Sequence, residues 1–307
     1  MQLWGIDLGG TKIEGVIINL DEPNKDLLRL RLPTNASLGY EQIIQQVARL
    51  IEQLEKTSGL QRPKKIGFGT PGVTEASSGV FKNSNTLCLN GRSLHKDLAK
   101  ALGVEVVIAN DANCFTLAET TLGVARGYNV VIGLILGTGV GGGVVVNGHI
   151  IEGLHGIAGE WGHNRLCEEE GLCYCGKKGC NEEVISGPAL QKFYHEKTGK
   201  FLVLPEIVQA ASAGDEAAMA TLKRLQEKFA EAIAVLINIL DPHAIVIGGG
   251  VGNIDLLYSE ETRALIAKHV FNDTFKTPLL KPQLGDSAGV FGAAMLTKVT
   301  VQPMPST

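Results

Sequence analysis

Twice in this chain an apolar run empties into a glycine-rich turn and re-emerges as a second β-branched run. Leu3–Ile6 leads through Asp7-Leu8-Gly9-Gly10-Thr11-Lys12 into Ile13–Leu20, and Val130–Leu136 leads through Gly137–Gly143 into Val144–Asn147. Leu27–Leu32 alternates leucine and arginine, so the first copy reads as a three-stranded meander. The repeat is weak in residue identity and clearer in pattern, and it points to two α/β halves. A third turn, Gly248-Gly249-Gly250, follows the apolar strand Ala244–Ile247. Bare backbone amides at such turns make concave anion sites. One turn alone could be a turn and nothing more. Three at strand ends favour a nucleotide-phosphate site.

Helices fill the intervals. Ile43, Ile44, Val47, Leu50, Ile51 and Leu54 follow helical spacing. Ser93–Leu102 reads as a helix before the strand Val104–Ala109. Asp215 is placed to cap a long helix with Ala218, Leu222, Leu225, Phe229, Leu236 and Ile239 on one stripe, ended by Pro242. A last helix spans about Ala288–Thr297. With 307 residues and no low-complexity linker, two domains sharing a cleft are expected, residues 1–115 with 288–307 and residues 116–287. A net charge of -4 and the lack of a basic run argue against a nucleic-acid partner. Neither a signal peptide nor a transmembrane stretch is visible, so a cytoplasmic protein without a membrane partner is expected.

The nucleotide site is not of a common motif type. Gly137-x-Gly139-x-x-Gly142 formally matches the dinucleotide fingerprint, but a strand follows it where that fingerprint requires a helix. The P-loop pattern is absent. Asp7 and Asp111 both end apolar strands, where a carboxylate can hold Mg²⁺ or take a proton. Phosphoryl transfer to a hydroxyl needs little more than cradled phosphates and one such carboxylate. For Asp111, which precedes Ala112–Leu117, simple helix capping fits as well, and the residues alone leave that choice open.

His163, Cys173, Cys175 and Cys180 form a separate cluster, flanked by Glu160 and Glu182. Three thiols in a polar, glycine-punctuated segment do not look like core packing. A Cys-x-Cys disulfide would be strained, and a reducing compartment disfavours it. Imidazole plus three thiolates is the donor set of a closed tetrahedral Zn²⁺ site, so zinc there is structural.

Together these motifs resemble the ROK family of sugar kinases. The resemblance is carried by Asp7-x-Gly9-Gly10-Thr11-Lys12, Gly69-Thr70-Pro71-Gly72, Asn110-Asp111-Ala112-Asn113, Gly137-Thr138-Gly139-Val140-Gly141, Gly159-Glu160-Trp161-Gly162-His163, the cysteine block through Glu182, and Gly248-Gly249-Gly250. They fall in family order over nearly the whole chain. The resemblance implies an α/β, two-domain actin/hexokinase-like ATPase (ribonuclease H-like) fold with a central cleft. It implies ATP and Mg²⁺ as well as zinc, and transfer to a hexose 6-hydroxyl. Asp111 is then the general base, while Asn110, Glu160, His163 and Glu182 bond the sugar. Gly9, Gly10, Thr11, Lys12, Gly137, Thr138 and Gly139 face the phosphates. Gly248, Gly249 and Gly250 line the adenosine pocket, and Asp7 lies near Mg²⁺. The imidazole of His163 serves zinc and sugar together.

The runs Lys82–Gly91 and Gly156–Asn164 look most like the fructokinase/mannokinase branch, so fructose or mannose is the expected sugar. N-acetylglucosamine kinases and glucokinases share the same catalytic motifs and are the alternative. Repressors of the family carry a helix-turn-helix ahead of the first strand, which here starts at residue 3. Two rival readings are a non-catalytic sugar-responsive regulator and an ATPase acting on a protein. Family members are often homodimers, although no exposed apolar stripe in the sequence demands one.

Overall fold

The computed structural model describes residues 1–75, 78–168 and 171–298. In chain order it opens with β1 (Gln2–Leu8), β2 (Lys12–Asn19), β3 (Glu22–Pro33), α1 (Tyr40–Ser58), β4 (Lys65–Thr70), β5 (Val73–Thr74) and β6 (Phe81–Lys82). There follow α2 (Leu94–Leu102), β7 (Glu105–Asn110), α3 (Asp111–Thr121), β8 (Val130–Leu136), β9 (Val140–Val146) and β10 (His149–Ile150). The remainder comprises α4 (Glu182–Ile185), α5 (Gly187–Thr198), α6 (Leu204–Ser212), α7 (Glu216–Leu240), β11 (Ala244–Gly248), α8 (Gly249–Gly252), α9 (Glu260–Ala267), β12 (Leu279–Leu280) and α10 (Ala288–Leu296).

The doubled pattern becomes two five-stranded sheets of matching design, β3-β2-β1-β4-β7 and β10-β9-β8-β11-β12. In the first, antiparallel β1, β2 and β3 form the meander, and β4 and β7 extend it in parallel. In the second, β9 and β10 are antiparallel, while β8, β11 and β12 run parallel. The second glycine turn is shorter than the sequence suggests, because β9 already begins at Val140. Gly142 is a strand residue needed for close approach: a Cβ there would lie 2.8 Å from the Gly159 carbonyl oxygen and from the Trp161 ring.

Two compact units are present. The first comprises Met1–Asn129, Gly143–Ala158 and Gln283–Thr307, and the second comprises Val130–Gly142 and Gly159–Pro282. The sequence-based boundary after residue 115 falls inside α3, which stays whole in the first unit. The reason is its packing on α10. Cys114 and Leu117 share a buried cluster with Ala293 and Leu296, and a Cβ at Gly292 would lie 1.8 Å from the Cys114 carbonyl oxygen. On its other side α10 sits directly on β1 and β4. Cβ atoms at Gly5 and Gly67 would strike α10 backbone at 2.4 and 1.8 Å. The return of the chain into this unit is fastened by Glu119, which is fully buried. Its carboxylate accepts the N–H groups of Val124, Gln283 and Leu284 at 3.0, 3.1 and 2.8 Å, so its buried oxygens are hydrogen-bonded. Residues 299–307 of the expected C-terminal piece lie outside the described residues.

The stripe of α1 buries Ile43, Val47, Leu50, Ile51 and Leu54 against the first sheet, as the spacing predicts. In the second unit Asp215 caps α7 by accepting the Ala218 N–H at 2.8 Å, and Leu225, Phe229 and Ile233 enter the core. Ile239 does not follow them and is 73% exposed, while Ile237, with Leu236 and Leu240 packed against the same core, carries the stripe to the helix end. Among the described residues no helix is long and apolar enough to cross a membrane.

Candidate functional site

In the first unit the sheet brings its two candidate aspartates to strand ends on either side of β4. Parallel pairing sets Asp7 beside Gly69 and Thr70 beside Asn110, so β1, β4 and β7 end together. A Cβ at Gly69 would lie 3.3 Å from Cys114 Sγ and 3.6 Å from Asp7 Oδ1, so this strand end packs closely on α3 and beside Asp7. Gly9, Gly10 and Thr11 connect β1 to β2 as a tight hairpin in which the Gly9 N–H donates to the Lys12 carbonyl at 3.0 Å. Buried Thr34 pins it from behind by donating to the Gly9 carbonyl at 2.6 Å. Lys12 lies 3.6 Å from Glu14, a buried carboxylate to which Arg31 Nε donates at 2.7 Å.

Asn110 is the N-cap of α3, its Oδ1 accepting the Ala112 N–H at 2.9 Å. Asp111 therefore occupies the first helical position and is not the cap, although its own Oδ1 shares that N–H at 2.8 Å. Its carboxyl is reachable by solvent, yet protein mass around it desolvates the charge and pushes its pKa up. Contact with solvent limits that push.

Asp7 is pushed up from 3.8 to about 6, by burial first and then by the charges of Asp111 and Glu14, with Lys12 opposing. An acid whose folded pKa exceeds its unfolded value binds more protons in the folded state, so raising the pH costs stability. The penalty is absent below about pH 4, grows up to about pH 6 and stays constant above, where it reaches up to about 3 kcal/mol. Asp7→Asn is therefore expected to be more stable than the parent at pH 8 and equal to it near pH 4. Denaturant melts at the two pH values measure this, and a pH-independent difference would contradict it.

In the second unit Gly137, Thr138 and Gly250 line one cavity of about 830 Å³, together with Gly187, Pro188, Gln191, Asn253 and Asp255. Gly248 closes β11 and Gly249 opens α8. Gly249 has φ +84°, and a Cβ on it would lie 2.3 Å from the Leu136 carbonyl oxygen, so no other residue fits. Glu182, at the start of α4, accepts the Val140 N–H at 2.9 Å, and a Cβ at Gly139 would lie 2.7 Å from the same oxygen. The carboxylate expected on the sugar thus abuts the loop expected on the phosphates.

The cysteine loop brings its four predicted ligands together. The donor atoms of His163, Cys173, Cys175 and Cys180 all lie within 4.8 Å of one another. Cys173 Sγ is 3.6 Å from His163 Nδ1, and Cys175 Sγ is 3.6 Å from Cys180 Sγ. Tetrahedral zinc with its usual bond lengths sets edges of about 3.8 Å between sulfurs and about 3.6 Å between sulfur and nitrogen. The donors fit that polyhedron. Gly179, at φ +72°, lets the loop close, because a Cβ would lie 1.8 Å from the Cys167 carbonyl oxygen. The Cys180 thiol is pushed up to about 12, by burial first and then by the other thiols, as expected where a cation would be needed to ionise it beside them.

The other ring nitrogen of His163 faces away from the sulfurs. Nε2 lies 3.1 Å from the Tyr174 hydroxyl and 4.0 Å from Glu160 Oε2. Tyr174 drew no attention in the sequence, although an aromatic between two ligand cysteines must project out of the metal loop.

Two matching sheets, each part meander and part parallel crossover, are those of the actin/hexokinase-like ATPase fold, as in solved ROK hexokinase structures similar to this one. The ROK family profile matches residues 3–300, and the chain belongs to the ROK family. It is 36% identical over 303 residues to the N-acetyl-D-glucosamine kinase of Photobacterium profundum, covering 95% of this chain and 98% of that protein. Among solved structures, a ROK hexokinase from Thermus thermophilus is 31% identical with a TM-score of 0.83, covering 96% of this chain and 97% of that one. A ROK family glucokinase from Streptomyces griseus, in complex with glucose and AMPPNP, is 26% identical with a TM-score of 0.78, covering 96% and 99%.

Proposed function

We propose that this chain is an ATP-dependent kinase that phosphorylates the 6-hydroxyl of a hexose, with N-acetylglucosamine as the sugar. The observation that carries the reaction is Asp111, a carboxylate at a parallel strand end that Asn110 has relieved of helix capping. The sugar hydroxyl attacks the γ-phosphate, Asp111 accepts its proton and ADP leaves. Asn110, Glu160, His163 and Glu182 bond the other hydroxyls. Gly9, Gly10, Thr11, Lys12, Gly137, Thr138 and Gly139 face the phosphates, and the cavity at Gly250 takes the adenosine. Mg²⁺ neutralises phosphate charge when bound, and Asp7 is the carboxylate placed to hold it. His163, Cys173, Cys175 and Cys180 hold a structural zinc.

The choice of sugar rests on the N-acetylglucosamine kinases that this chain matches over 95% of its length. The loop runs Lys82–Gly91 and Gly156–Asn164, similar to fructokinases and mannokinases, support fructose or mannose as the second reading. ADP release measured with and without N-acetylglucosamine, fructose, mannose and glucose, singly and in competition, decides. The highest kcat/KM is expected for N-acetylglucosamine. ADP release independent of sugar, or none with any hexose, would remove the kinase reading, and a clear preference for fructose would replace the sugar.

A further inference from the structure

His163 presents Nδ1 to the sulfurs and Nε2 to a hydroxyl that belongs to the protein itself. We propose that Tyr174 is a residue of the sugar site that lowers its affinity, its phenol hydroxyl occupying in the free protein the place at His163 Nε2 that a hexose hydroxyl takes on binding. The inference rests on the sugar-kinase reading, and it adds to that reading a residue and a displacement step.

The geometry supports a stand-in more than a fixed strut. With Nδ1 given to the metal, Nε2 carries the ring proton and can donate only one good hydrogen bond. The Tyr174 oxygen accepts it at 3.1 Å, so a sugar oxygen can take it only if the phenol leaves. The ring meets the imidazole edge-on, with centroids 5.2 Å apart and planes at 86°, so a single hydroxyl and a ring edge hold it. The residue is 81% exposed, and it therefore has little packing to lose by rotating away. Glu160, the nearest carboxylate to Nε2 at 4.0 Å, remains beside the vacated place as a second partner for a sugar hydroxyl.

A ligand that must displace an internal hydrogen bond binds with its intrinsic dissociation constant divided by the fraction of protein already open. Removing the phenol oxygen removes that handicap and leaves the ring. Tyr174→Phe is therefore expected to bind N-acetylglucosamine about 2- to 10-fold more tightly than the parent, the range of one net hydrogen bond. Calorimetric titration of sugar into the full-length protein, without nucleotide, measures this directly. Tyr174→Ala, which also lacks the oxygen, is expected to tighten binding too. Weaker binding by Tyr174→Phe would make the hydroxyl a direct sugar contact and overturn the proposal. Unchanged affinity, or tightening in the alanine variant alone, would assign the effect to the ring and overturn it as well. If neither the parent nor the variants bind any hexose, the sugar-site reading fails first and the proposal goes with it.

Discussion

Asp111→Asn is expected to lower hexose-dependent ADP release by roughly 10²- to 10⁴-fold, the usual contribution of a positioned general base. The substitution is nearly isosteric and keeps an oxygen to accept the Ala112 N–H, so α3 should still start at the same place. Capping is carried by the Asn110 side chain and is untouched. Binding of hexose should remain measurable by calorimetry, because the missing group acts on the proton and not on the sugar's position. The pH profile supplies an independent sign. Asp111 must be ionised to accept a proton, and desolvation raises its pKa, so kcat/KM of the parent should fall as pH drops through a range above that of ordinary carboxylates. Asp7, at about 6, falls away in the same direction, and the two together define the acid limb. Replacing Asp111 by a neutral residue also removes a charge that raises Asp7, so the residual activity of the variant should show its acid limb at lower pH. Near-normal turnover in the variant would take Asp111 out of the assigned role.

The sequence made the backbone plan legible because that plan is written in periodicity and glycine. Paired runs with a glycine turn between them became paired sheets of the same order, and the stripe of α1 became a buried helix face. Errors arose where a glycine serves packing. Gly142 lies within a strand, and Gly292 brings α10 against α3, which carries the first unit past the boundary expected after residue 115. No local pattern distinguishes a glycine that turns the chain from one that admits a neighbour. Among the candidate site residues, the convergence of His163, Cys173, Cys175 and Cys180 was legible because it is local, with three thiols in one short loop and the histidine near it in sequence. The assignment of capping to Asn110 and of the first helical position to Asp111 needed the backbone, since either side chain can cap. Tyr174 was invisible for a different reason. Its partner is the second nitrogen of a residue already assigned to metal, and only the ring's orientation shows that this nitrogen has a neighbour.

Cys175→Ser should weaken hexose binding and lower stability together, because one set of donor atoms underlies both. Leu172–Lys178 and Arg165–Cys180 are single bridges, and among the described residues of the segment no strand is formed. Its backbone bonds are turn contacts, among them Leu166 N–H to the Gly179 carbonyl at 2.7 Å and Cys173 N–H to the Lys177 carbonyl at 2.8 Å, and convergence of the four donors adds to them. Cys175 is itself exposed, so exchanging its sulfur for oxygen costs little packing, and any large effect reports on the donor set. Metal affinity at structural sites is folding free energy, and loss of one thiolate of three gives up much of it. A melting temperature lower by about 5–10 °C is expected, equivalent to a few kcal/mol. The sugar side follows from the same atoms. His163 is held through Nδ1 beside Cys173, and its Nε2 is the nitrogen turned toward Glu160 and Tyr174. Once the metal is lost the ring is free to rotate and to exchange tautomers, and a weakening of hexose binding of roughly 10- to 100-fold is expected, the range seen when groups that orient a site are removed. Treatment of the parent with a zinc chelator should reproduce the Cys175→Ser result, and zinc below about half an equivalent in protein purified without chelator would argue against the site. A variant that loses stability but keeps its sugar affinity, or the reverse, would separate the metal from the sugar wall and break the coupling through His163.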